Sequence, residues 1–334
     1  MDSYKVPKII RYSDIKLAKG LCLDSVKDIE RHGFGTGMSS KKYGTKWQML
    51  PKGRAVFKTY DGEGVYKKIK EVRIVNELLC YELSKQVGIL CAEYELANKD
   101  GITGLVSYEI KTDKNQELIS AVAMFQRLNI CCRNNFDSYI EAIRRFRQQG
   151  YKIDAKKVLC DLYKVTLFDA LTLQTDRHSG NMFMIMDYKK KTIKVAPILD
   201  NELAFASGVC YDSLYSDCYI YPESIKNYTF MIQKFIEIKN DPMVADKFKA
   251  NIKNLAGLAK QNKTFEKIFK DMIFNYNIQT AIDKVSGKGV EINDKYKQFL
   301  VESQNITKKM LIEEYNLQTV YPSSKYSFNL DMQK

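Results

Sequence analysis

Between Thr175 and Ile185 the chain reads TDRHSGNMFMI, and His178 within it is one of only two histidines among 334 residues. An apolar helical stretch leads into this cluster and an apolar strand-like stretch leaves it, so its polar residues fall at the junction of two buried elements, where sites are commonly built. Asp176 has a carboxylate that can take a proton from a hydroxyl. Asn181, five positions later, brings an amide oxygen of the kind hard cations bind, and Asp200 in PILDNE offers a second such oxygen. Upstream, Lys58 in AVFKTY sits in an apolar strand and needs an anionic partner there. Glu77 in IVNELL, 19 residues on, is the candidate to hold it by an ion pair. Phosphoryl transfer asks for this set: two magnesium-binding oxygens, a carboxylate for the acceptor hydroxyl's proton, a lysine on the nucleotide phosphates, and donors covering those phosphates. The glycine-rich GFGTGMSSKKYG can supply the cover through its backbone and through Ser39 and Ser40, with Lys41 or Lys42 adding charge.

The elements that must position these residues are legible in outline. Apolar residues at Ile15, Leu17, Leu21 and Val26 suggest a leading helix over residues 10–31, ended by the glycine cluster. KWQML and GRAVFKTY have strand character, and Val72, Val75, Leu78, Leu79 and Leu83 recur at helical spacing until Gly88 closes the helix. Two strand-like runs flank a turn at Gly101, and a mainly helical pattern covers about residues 136–173. After the 176–181 cluster, NMFMIMDYKKKTIKVAPILDNE predicts a hairpin turned at its lysines, which folds Asp200 back beside Asn181, and from about residue 222 the pattern is almost wholly helical. The expected architecture is α+β: a small mixed half, then a larger helical half, with the boundary after VSYEI.

Composition excludes several classes. With 45% apolar residues the chain can build a sizeable core, and no run is long and uncharged enough to span a membrane. MDSYKVPKIIRYSDIK lacks the apolar centre of a signal peptide, which predicts a cytoplasmic protein. The eight cysteines form no CxxC pair and lie far from a second histidine, so they are expected as buried free thiols rather than a zinc site. The net charge of +13 raises nucleic acid or an anionic membrane surface as partners, but the lysines are interleaved with acids along the whole chain, the pattern of solvated helix faces.

Taken singly, each signal has a plain structural use. Lys58 and Glu77 suit a surface strand and helix, Asp200 and Asn201 suit an Asx turn after Pro197, and Asp176 suits a cap. Their order and spacing are more specific. Asp176 and Asn181 keep the Asp-to-Asn spacing of the HRDxxxxN catalytic loop, with Arg177 and His178 after the aspartate. TDRHSGNMFMI and APILDNE, with VFK, NELLCYELSKQVGI and GLVSYEI in order ahead of them, make the chain resemble the HipA-like kinases, a bacterial branch of protein-kinase-like folds. The DRHxxN form is also similar to phosphoinositide kinases.

That resemblance spans about residues 33–205 and implies a two-lobed kinase-like fold, with an N-lobe over 1–110 and a helical C-lobe over 111–334. It implies Asp176 as the catalytic aspartate, Asn181 and Asp200 as magnesium ligands, Lys58 as the ATP lysine and Glu77 as its partner. Ser107, Tyr108, Glu109 and Ile110 become the hinge whose backbone meets adenine. His178 would fix the catalytic loop, with a purely structural hydrogen-bonding role as the equal alternative. No separate HipA-type amino-terminal subdomain fits ahead of the glycine loop and no DNA-binding helix stands out, so a toxin-repressor role does not carry over. The implied activity is ATP- and magnesium-dependent phosphorylation of serine or threonine in a protein; separately, three hydroxyls in a loop expected to lie over the γ-phosphate predict self-phosphorylation at Thr36, Ser39 or Ser40 that switches the protein off. A lipid or small-molecule kinase is the enzyme rival, and a nucleotide-binding pseudokinase or interaction module the non-enzyme rival, against which the five filled catalytic positions argue.

Overall fold

The computed structural model describes residues 10–11, 15–26, 28–29, 46–60, 70–110, 113–131, 136–205, 219–220, 229 and 252–317. Among the described residues of 10–31, the expected leading helix is not formed. That run instead contributes four two-residue strands: β1 (Ile10–Arg11), β2 (Lys16–Leu17), β3 (Leu21–Cys22) and β4 (Asp28–Ile29). β1 pairs with β12 (Tyr219–Ile220), β2 with β13 (Val290–Glu291), and β3 runs parallel to β7 (Tyr94–Lys99). Four scattered apolar residues fit either period, and distant pairing partners decided the outcome. Gly20 marks the decision: it has φ +66°, and a Cβ there would lie 2.2 Å from the Leu96 carbonyl oxygen.

KWQML and GRAVFK form the antiparallel hairpin β5 (Lys46–Leu50) and β6 (Gly53–Lys58). With β7 and β8 (Ile102–Tyr108), they build a six-stranded sheet in the order β3-β7-β8-β6-β5-β4. β7 and β8 turn through Asp100 (φ 52°) and Gly101 (φ 77°), two consecutive left-handed residues of the kind that suits a two-residue hairpin. One face of the sheet is closed by Leu23, Leu50, Ala55, Phe57, Ala97 and Val106. The two-residue strand period therefore puts Val56 and Lys58 on the opposite face. Helix α1 (Lys70–Gln86) packs there, with Val72, Ile74, Val75, Leu78, Leu79 and Leu83 fully buried, and Gly88 (φ +66°) ends it as expected.

The second half holds α2 (Ala121–Arg127), α3 (Phe136–Gln148), α4 (Ala155–Leu171) and the lysine-turned hairpin β10 (Phe183–Asp187) and β11 (Thr192–Val195). Strand β9 (Gln116–Ser120), which the sequence pattern does not announce, adds to β10 in a three-stranded sheet. Helices α5 (Ile252–Gln261), α6 (Lys263–Asn275), α7 (Ile278–Ser286) and α8 (Asp294–Leu317) complete the described chain. The Tyr163 ring of α4 stacks on Phe265 of α6 with centroids 4.5 Å apart, and α7 and α8 reach back to α1. No helix among the described residues is long and apolar enough to cross a membrane.

The approach of β8 to β6 is set by Gly104, where a Cβ would meet the Lys58 carbonyl oxygen at 2.3 Å. Gly104→Ala should therefore lower stability by about 1–3 kcal/mol, the usual range for overpacking. Urea unfolding measures this, and an unchanged midpoint would show that the two strands have room to part.

Candidate functional site

Helix α4 ends at Leu171 with Thr172 as its cap, and Leu173 turns the chain with φ 48°. The next residues form a loop tied to itself. The Asp176 N–H donates to the Gln174 side-chain oxygen (3.0 Å), and the Asn181 side-chain amide donates to the Asp176 carbonyl (3.2 Å). His178 caps the short turn Ser179–Asn181, its Nδ1 accepting from the Gly180 N–H at 3.0 Å. An accepting Nδ1 places the neutral ring's proton on Nε2. A Cβ at position 180 would lie 2.6 Å from the imidazole, so glycine there is part of the cap. The structure thus gives His178 a loop-fixing contact.

Arg177 joins this loop to the end of the hairpin. It is 3% exposed and pairs with Asp169 of α4, 1% exposed, through Nε–Oδ2 and Nη2–Oδ1 contacts of 3.1 Å. Its remaining donors reach the carbonyls of Leu199 (2.8 Å) and Asn181 (3.3 Å) and the side-chain oxygen of Asn201 (2.5 Å). One guanidinium therefore fixes the backbone beside Asp200 and the backbone of Asn181. Burial pushes the Asp169 carboxyl up, against the opposing pull of Arg177.

Lys58 meets its expected partner Glu77 and, closer still, Asp200, a contact the sequence pattern does not announce. Its Nζ lies 2.5 Å from Asp200 Oδ1 and 3.8 Å from Glu77 Oε1, above the Tyr94 ring. Glu77 is fully buried; its Oε2 accepts from the Asn201 N–H at 2.9 Å, while Oε1 has no hydrogen bond. Desolvation raises the Glu77 carboxyl to about 7, with Lys58 pulling the other way. At Asp200 burial also pushes upward, but the closer Lys58 charge and its hydrogen bond prevail, and the carboxyl titrates below its ordinary value. Asp200 itself has φ 56°, a left-handed conformation that Asp and Asn adopt more readily than other non-glycine residues. Beside Glu77, the Asn76 amide donates to the carbonyls of Glu202 (3.0 Å) and Ala204 (2.9 Å), and Arg73 pairs with Glu202.

At the expected hinge, Ser107 pairs with Val56 and with Tyr94, the Tyr108 N–H donates to the Glu93 carbonyl (3.0 Å), and that of Glu109 to Arg54 (2.8 Å). Those two N–H groups are committed within the protein, so a base at the hinge would meet the Tyr108 carbonyl or the backbone at Ile110. Thr36, Ser39, Ser40 and Lys41 lie outside the described residues. Arg177, Asp169 and Asn76 are the organising residues that motif spacing passes over. Their signal was a polar side chain inside an apolar run, as in LFDAL and VNELL, since such a group is stable only when paired. For magnesium, Asp200 and Asn181 carry suitable hard oxygens, and no group of three acidic, histidine or cysteine residues among those described is arranged to hold a metal alone. That donor set fits a cation that completes its shell with phosphate oxygens and water.

No protein-family model and no curated protein sequence matches the chain. The crystal structure of the Helicobacter pylori proinflammatory kinase CtkA superposes with a TM-score of 0.60, covering 89% of this chain and 96% of that one at 15% identity. The chain shares the CtkA-like kinase fold. HipA from Shewanella oneidensis MR-1, solved with HipB and its operator DNA, aligns over 80% of this chain and 61% of that one, with a TM-score of 0.40 and 14% identity. Within the kinase fold seen here, the strand bearing Lys58, the helix bearing Glu77 and the hairpin ending at Asp200 converge on one point.

Two outcomes follow from these buried charges. Arg177→Met should cost about 3–5 kcal/mol by stranding the Asp169 carboxylate, and the Asp169→Leu/Arg177→Met double variant less than the sum of its parts. Additive losses in a denaturation cycle would mean the pair is not a unit. For Glu77, a folded-state value of about 7 against an ordinary 4.5 means its contribution is present below pH 4.5 and is lost as pH rises through 7. The Glu77→Gln protein should therefore gain stability relative to the parent across that window, and a stability difference independent of pH would refute the upward shift.

Proposed function

We propose that the protein is an ATP- and magnesium-dependent kinase that phosphorylates serine or threonine in proteins. The observation that carries the proposal is the position of Lys58, within reach of Asp200 and Glu77, in a site whose hairpin and 176–181 loop are locked together by Arg177. In this reading Lys58 holds the nucleotide phosphates, and Glu77 keeps the lysine in place through its buried carboxylate. Asp176 orients the acceptor hydroxyl and takes its proton as the oxygen attacks the γ-phosphorus and the bond to the β-phosphate oxygen breaks. Asp200 and Asn181 would hold magnesium, which when bound supplies positive charge to the phosphate oxygens. Gln174 and Asn181 keep Asp176 in register through their contacts with its backbone. Ile110 and the Tyr108 carbonyl present the hinge backbone to the base.

The test is incubation with labelled ATP and magnesium, followed by phosphosite mapping on the protein itself, including Thr36, Ser39 and Ser40, and on a cell lysate. Label on serine or threonine is expected. Label confined to phosphoinositide in added liposomes would replace the protein acceptor with a lipid, and no magnesium-dependent transfer or ATP turnover would overturn the kinase assignment. Asp200→Asn, which preserves the left-handed backbone preference, should abolish transfer while a cooperative melting curve shows that the protein remains folded. Lys58→Ala should reduce it by about a hundredfold or more, since preorganised charge is usually the largest single contribution. Near-normal turnover in both variants would remove these residues from the reaction.

A further inference from the structure

A groove of about 590 Å³ lies along the hinge strand at Tyr108–Ile110, lined from one side by the β5–β6 turn and from the other by the β10–β11 hairpin. Lys58, Glu77, Asp176, Asn181 and Asp200 do not line it. Its apolar lining includes Leu90 and Met49, which are 70% and 55% exposed, together with Val195 and Pro197. Two large apolar side chains so open in one concave place form the kind of patch that proteins use for contact.

Charge specifies the contact further. The groove is lined by Lys52, Arg54 and Lys194 against Glu93 and Glu109, three cations to two acids. Lys52 is taken up by Glu93 at 2.8 Å and by Glu95. Arg54 and Lys194 are both exposed, and neither forms an ion pair with a described residue. One stands on the β-rich half and the other on the helical half, so a single occupant can meet both while its apolar side chains cover Leu90 and Met49. The wall at Leu90 is also continuous with the site described above: the Ile198 N–H donates to the Leu90 carbonyl and the Ala92 N–H to that of Ile198, each at 2.8 Å, two residues before Asp200.

We propose that this groove docks a segment of a partner protein in which leucine- or isoleucine-type side chains alternate with glutamate or aspartate. The concave apolar floor favours an extended segment over a flat surface, and the two unpaired cations select acidic over basic sequence. This inference needs no phosphoryl transfer and stands whether or not the kinase reading does.

The test uses the full chain with a fluorescein-labelled octapeptide alternating leucine and glutamate, and a lysine counterpart as control, read by fluorescence anisotropy. Binding of the acidic peptide is expected, weakened about tenfold by Leu90→Asp and by the Arg54→Glu/Lys194→Glu double variant, and weakened by added salt. All three positions are exposed, so these substitutions leave the fold intact, which a melting curve checks. Equal binding of the lysine peptide, or no loss in either variant, would overturn the proposal. A photo-crosslinker at position 90 identifies the occupant: transfer to the acidic peptide supports docking, whereas crosslinks to the chain's own residues or to a second copy overturn it.

Discussion

The site depends on one buried ion pair. Arg177 and Asp169 are removed from water together, an arrangement that is stable only if almost every donor and acceptor on them finds a partner. Two guanidinium nitrogens go to the Asp169 carboxylate and the remaining contacts to Leu199, Asn181 and Asn201. Because a planar guanidinium has fixed donor directions, satisfying it dictates where three separate segments must be: the end of α4, the 176–181 loop and the residues around Asp200. A lysine could neutralise Asp169 but could not reach in that many directions. The pair is therefore better understood as a ruler for the site than as a source of stability, since an apolar replacement of both partners could pack equally well.

Helix α1 supplies the second constraint. Asn76 and Glu77 are adjacent on it and both fully buried, and between them they accept or donate to the backbone of Asn201, Glu202 and Ala204. From its other side Asn76 accepts from the Tyr296 hydroxyl of α8 at 2.8 Å, and Glu82 is held by Lys288. The helix carrying Glu77 is thus fixed to the sheet, to the segment after Asp200 and to the C-terminal helices at once. The distance from Glu77 to Lys58 follows from packing across both halves of the chain rather than from the ion pair itself.

These constraints explain what the sequence could and could not reveal. Lys58, Glu77 and Asp200 were legible because strand and helix periods are local, and a lysine in AVFK or a glutamate in IVNELL is conspicuous against apolar neighbours. The hairpin was legible from its lysine turn. The leading helix was misread because Ile10–Arg11 and Lys16–Leu17 take their structure from strands as far away as β12 and β13, and no local period records so distant a partner. Strand β9 was missed for the same reason: its five residues become a strand by pairing with β10. Arg177 was visible as a residue but not as a hub, because its role consists of contacts with carbonyls, which sequence does not label.

The charges around Lys58 also bear on how an anionic substrate can be admitted. Glu77, Asp200 and Glu202 face Lys58 and Arg73, three carboxylates against two cations, so the cluster carries no surplus positive charge when fully ionised. Burial raises Glu77 and Glu202 toward neutrality, but Asp200 stays ionised and holds Lys58 at 2.5 Å, nearer than Glu77 does. A bare polyphosphate would have to draw Lys58 from Asp200 and leave that carboxylate facing its own negative charge, an unfavourable exchange in a low-dielectric cleft. Were Asp200 to hold a divalent cation, the cation would supply positive charge at that carboxylate, and Lys58 would be left to the phosphate oxygens and to Glu77. In the reading proposed above, Asp200 therefore serves as the partner that holds Lys58 in place while the nucleotide is absent.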